Sequence, residues 1–84
     1  MNRAYENLAS AIVVQACRDY RDELNWLSAH QPVTEEDKED EKYIHHLSEK
    51  DSIERFFDSD WFCALTDLDG QYIMQRIRKE CDFQ

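Results

Sequence analysis

The stretch Ser52–Gly70, SIERFFDSDWFCALTDLDG, constrains this chain most, because it crowds Ile53, Phe56, Phe57, Trp61, Phe62 and Leu65 into little more than a dozen positions. Each buried aromatic ring removes on the order of 150–250 Å² from water, so the rest of the protein has to fold onto this segment. All six side chains are expected in one core, together with Ile12 and Ile77. A chain of 84 residues is a single domain, 1–84, and buries only roughly 60–65% of the surface its unfolded form exposes. Its stability margin is therefore thin. One glycine and one proline are too few for strands joined by tight turns, and the expected fold class is all-α, a small three- to four-helix bundle.

Apolar periodicity places the helices. Tyr5, Leu8, Ala9, Ile12, Val13, Ala16, Tyr20, Leu24 and Leu27 recur at spacings of three and four, the stripe of a long amphipathic helix capped by Asn2 or Asn7. It is predicted to end between Ser28 and Gln31, because the residue before Pro32 is pushed out of the α region. Thr34, with Asp37 three residues on and Glu35 and Glu36 between, suits a new helix N-terminus. One helix is predicted over about 35–58, with a break, if any, at 48–52 where Ser48 and Ser52 offer fresh caps. Ser59 is expected to cap a short turn carrying Trp61, Phe62, Cys63 and Leu65 into the core. Thr66 and Asp67 repeat the device before a last helix over about 68–81.

The net charge of −9 is concentrated in the middle. Met1–Arg21 carries +1, Asp22–Asp60 holds thirteen acids against four cations, and Trp61–Gln84 carries −1. Glu35–Lys42, EEDKEDEK, contains six acids and no apolar residue, so it has nothing to pack and is solvated or unfolded unless bound. Such a field repels nucleic acid and anionic membranes and attracts a basic protein surface, including one that normally holds phosphates. An acidic face also serves solubility alone.

Patterns with catalytic chemistry are weak. Glu41, His45 and Glu49 share a helical face with His46 nearby, but a metal site needs ligands from a second element, so no metal and no cofactor is expected. Asp67-Leu68-Asp69-Gly70 has part of a calcium loop, yet the first ligand position would be Leu65 and the bidentate one Arg76, which excludes an EF-hand. Gly70 is read instead as permitting close packing against the Trp61 segment. Cys17, Cys63 and Cys81 lie on or beside apolar positions with no base in reach, which marks structural thiols. Their odd number, without a CxxC pair, and the absence of a leader pattern fit a reducing cytoplasm. Arg18, Arg21, Arg76, Arg78 and Lys79 make a patch if the first and last helices are neighbours; pairing with Asp19, Asp22 or Glu80 is the plainer outcome.

Two segments, AIVVQACRDYRDEL at 11–24 and ERFFDSDWFCALTDLDGQYIMQRIRKE at 54–80, resemble a group of small prophage and mobile-element proteins of Gram-positive bacteria. The shared pattern is a QA..DYR helix followed by E.FF.S.WF..LTD.DG.Y with a basic end. The stretch from His30 to Ser48 falls outside it. The resemblance implies an accessory protein of a mobile element and supplies no activity and no catalytic residue.

Two functions follow as expectations. One is a non-enzymatic inhibitor of a host protein, such as a nuclease of CRISPR or another defence system, with acids standing in for DNA phosphates. Glu35, Glu36, Asp37, Glu39, Asp40 and Glu41 would form its contact surface, with Glu49, Glu54 and Asp58 flanking. The other is a structural or regulatory module that dimerises or docks through Trp61, Phe62 and Tyr72. Neither binds nucleic acid or a membrane directly.

Overall fold

A computed structural model describes residues 3–83, with the Tyr5 side chain excluded; of the expectations above, an Asn2 cap and a packed Tyr5 side chain lie outside the described residues. Among the described residues five helices follow in order: α1 Arg3–Ala29, α2 Glu35–Lys38, α3 Glu41–Phe57, α4 Asp60–Leu65 and α5 Gly70–Glu80. No strand occurs among the described residues. The fold is all-α: α1, α3 and α5 form a bundle, and the two short helices turn the chain between them. No helix among the described residues is long and apolar enough to cross a membrane.

The α1 stripe buries Ala9, Val13, Tyr20, Leu24 and Leu27. Asn7 lies inside the helix rather than at its cap, and Leu8 is exposed although Ala9 beside it is buried. The helix stops where Pro32 requires. His30 N donates to the Leu27 carbonyl and His30 Nδ1 meets the Trp26 carbonyl at 2.8 Å, which satisfies two of the carbonyls a helix end leaves free. Thr34 and Asp37 then form a reciprocal capping box: Asp37 N donates to Thr34 Oγ1, and Asp37 Oδ2 accepts from Val33 N and Thr34 N.

The predicted helix over 35–58 is corrected. It divides at Glu39–Asp40, where the Asp40 carboxylate accepts from Lys42 N and Tyr43 N and starts α3. It runs unbroken through Ser48–Ser52, since the packing of Ile53, Phe56 and Phe57 beyond those serines outweighs their capping tendency. Ser59 does cap α4, accepting from Phe62 N. The last helix begins at Gly70 rather than near 68. Asp69 caps it through Gln71 N and Tyr72 N, and Thr66 only closes the preceding turn onto Leu68 N. It ends in a Schellman motif, with Asp82 at φ 54° and bonds from Asp82 N to the Lys79 carbonyl and from Phe83 N to that of Arg78.

The core is Val13, Tyr20 and Leu24 from α1, Phe57 from α3, Phe62 from α4, and Met74 and Ile77 from α5. Phe57 lies 5.9 Å from the Tyr20 ring and 5.4 Å from Phe62. Ile12, expected in this core, is instead half-buried and lies outside both the cluster and the residues packed against it, because its neighbour Val13 takes the inward position on α1. Two expectations for the aromatic segment are corrected, for Trp61 and Cys63. A helix turns about 100° per residue, so burying Phe62 and half-burying Leu65 three residues on leaves Trp61 (59% exposed) and Cys63 outside. The glycine is used one element away from where it was expected. A Cβ at Gly70 would collide with the carbonyl of Phe57 at the end of α3, not with the Trp61 segment.

Candidate protein-interaction surface

The acids of the middle segment do not share one fate. Asp37 and Asp40 are engaged by backbone amides as caps. The amides of Val33 and Thr34 hold the Asp37 carboxyl below its ordinary range. Glu35 meets Lys38 at 3.2 Å, while Glu36, Glu39 and Glu41 stand exposed with no ion pair among the described residues. Asp58 accepts from the Gln71 side-chain amide.

Glu54 leaves this exposed set. Tyr20 Oη donates to its Oε2 at 2.7 Å, Arg78 Nη2 donates to the same oxygen at 2.7 Å, and Lys50 lies 3.4 Å from Oε1. Arg78 Nε also donates to Tyr20 Oη at 2.8 Å, closing a triangle across α1, α3 and α5. Burial pushes the Glu54 carboxyl up, but the Tyr20 and Arg78 hydrogen bonds and the nearby cations outweigh it and hold it below the usual range. Burial first, then the Glu54 hydrogen bond, drives the Tyr20 phenol well above its ordinary value, so it stays a donor.

The cationic set is also divided. α1 and α5 are neighbours, but Arg21 is paired with Glu80 at 3.0 Å and Arg78 belongs to the triangle. Only Arg18, Arg76 and Lys79 of that set remain exposed without an ion pair among the described residues. Of the expected acidic partners, Asp19 takes Gln15 instead and Asp22 takes no cation.

A surface the sequence reading missed lies between α1 and α3. Its acidic half is a groove of about 430 Å³ with Asp19, Asp22 and Glu23 on one wall and His45 and Glu49 on the other. Asp19 and Ile53 also belong to the adjoining groove of about 340 Å³, whose other walls include Ile12, Ala16, Phe56 and Trp61. The signal was present in halves: acids at i, i+3 and i+4 on α1, and His45 and Glu49 at i and i+4 on α3. Each half alone is an ordinary solvated helix face, and only the antiparallel return of α3 brings them together.

His46 does not face the same way as His45. Its Nδ1 meets Glu23 Oε2 at 2.5 Å, and its ring stacks on Trp26 at 3.8 Å, with His30 on the other indole face at 4.0 Å. Glu41, His45, His46 and Glu49 therefore do not converge, and no group of three or more His, Cys, Asp or Glu among the described residues is placed to hold a metal. The cysteines are all free. Burial pushes the Cys17 and Cys81 thiols up, the opposite of what a thiolate nucleophile requires.

Compared with known protein families, curated proteins and solved structures, the chain matches none of them.

Proposed function

We propose that this chain is a non-enzymatic accessory protein of the mobile-element type, acting in the cytoplasm, that binds and inhibits a host protein through its acidic surface. The observation that carries the reading is the arrangement at Glu35–Glu41. Glu36, Glu39 and Glu41 stand around a one-turn helix that buries nothing and offers a single ion pair, Lys38–Glu35. A segment with no core to serve and no charge balance is self-repelling, and a basic surface built for phosphates would neutralise it. A defence nuclease is the partner class with such a surface, and the acids then stand in for its nucleic acid. The test reverses Glu35, Glu36, Glu39 and Glu41 to lysine and compares capture of proteins from a bacterial lysate at low and high salt. The reading expects the fold to survive, capture to be lost, and added salt to weaken wild-type capture in the same way. Undiminished capture by the reversed variant would refute it.

A second reading, an interaction module that docks or dimerises through the aromatic segment, is favoured by one observation. Trp61 and Tyr72 are 59% and 57% exposed, and large exposed rings mark protein contacts. Phe62 is buried and has no part in such a contact.

A further inference from the structure

In the groove between α1 and α3 an apolar surface and unpaired acids adjoin. At one end the exposed Trp61 stands against Phe56, ring centroids 5.6 Å apart and nearly perpendicular, and lines the groove with Ile12 and Ile53. At the other end, Asp19, Asp22 and Glu49 have no ion pair among the described residues, and Asp19 accepts from the Gln15 side-chain amide. Asp19 and Ile53 line both halves, so the apolar and acidic cavities adjoin at these two residues. Along α1 it extends from Ile12 to Glu23, about 16 Å at about 1.5 Å per residue, the length of three helical turns.

We infer that this groove seats a basic amphipathic helix of a partner protein, its apolar residues against Trp61, Ile53 and Ile12 and its lysines or arginines against Asp19, Asp22 and Glu49. The inference rests on the protein-binding reading above and supplies its holding surface and the chemistry of its partner. Charge complementarity selects a basic occupant. The helical form follows from the architecture: α1 and α3 wall the groove with Trp61 of α4 at one end, and no sheet edge is present among the described residues, so an extended segment would find no backbone ladder, whereas a helix satisfies its own amides and carbonyls. Tryptophan is among the side chains enriched where binding energy concentrates at such contacts, and Trp61 is exposed at this one. The acids around α2 lie outside the groove. They act on encounter, while the groove acts on retention, because peripheral charges govern association and buried anchors govern dissociation.

The experiment measures binding kinetics of the full chain with a synthetic blocked peptide of about 18 residues, carrying leucines at helical spacing at one end and lysines on the same face at the other. A scrambled peptide of identical composition is the second probe. The patterned peptide is expected to bind, and Trp61→Ala or the pair Asp22→Lys and Glu49→Lys to speed its dissociation at least tenfold. Reversal of Glu35, Glu36, Glu39 and Glu41 is expected to slow association. If the scrambled peptide binds as well, and only the α2 reversals matter, the groove is not the seat and the acidic-docking reading stands alone. If neither peptide binds the wild-type chain, the groove inference fails, while the acidic-docking reading is decided separately by the lysate capture described above. Concentration-dependent self-association that Trp61→Ala abolishes would assign the groove to a second copy of this chain and overturn the inference.

Discussion

Tyr20 Oη donates to Glu54 Oε2 at 2.7 Å, joining the middle of α1 to α3 across 34 residues of chain, and Arg78 from α5 closes on both. A carboxylate that receives two donors inside a small fold is an internal fastener. Hydrogen bonds to charged groups contribute about 1.5–3 kcal/mol, so Tyr20→Phe and Glu54→Gln should each lower stability by about that amount. The pH dependence has a defined sign. Because folding depresses the Glu54 pKa below its ordinary 4.5, its contribution is complete above that value and is lost as pH falls through the folded value. Denaturant midpoints measured from pH 7 down to pH 3 should show the gap between wild type and Glu54→Gln closing at the acid end.

Replacing Gly70 by alanine should be costly despite its position at the start of a helix, where alanine is normally welcome. The added methyl would meet the Phe57 carbonyl, a backbone atom that cannot swing aside. Forced repacking of this kind costs about 1–3 kcal/mol, and the thermal midpoint followed by circular dichroism reads it directly.

Two adjacent rings should behave in opposite ways. Phe62→Ala empties the centre of the core and should cost about 3–5 kcal/mol, much of the margin of a domain this size. Trp61→Ala, at 59% exposure, should melt within about 1 kcal/mol of wild type, which is also why it serves as a binding variant. A Trp61→Ala protein that fails to fold would place the indole inside.

The three thiols should separate by alkylation rate. Cys63 is exposed, whereas Cys17 and Cys81 are partly covered and their thiols are shifted up by burial. Since the thiolate is the reacting form, a short exposure to iodoacetamide at neutral pH followed by peptide mass spectrometry should find label on Cys63 well before the other two. Equal labelling would show that α5 opens readily from α1.

Local chemistry was legible from the sequence. The stop of α1 before Pro32, the Thr34–Asp37 capping box and the Ser59 cap were all readable, because a cap is decided by atoms within about four residues of one another. The all-α class was readable from the apolar spacing and the scarcity of glycine and proline. Near misses came where two local signals competed: Asp40 won the N-cap of α3 and Asp69 that of α5, while Ser48 and Ser52 lost to the packing of α3. What only the tertiary structure decided was direction. The sequence by itself showed that Trp61 and Phe62 are aromatic neighbours, but which ring is buried depends on where α1 and α5 arrive. It showed Glu54 as one acid among many, and its commitment to Tyr20 and Arg78 exists only once three helices meet. The groove was divided between two ordinary helix faces 30 residues apart and became a surface when α3 folded back along α1. Burial and charge pairing are properties of assembled faces, whereas caps and helix ends belong to single turns.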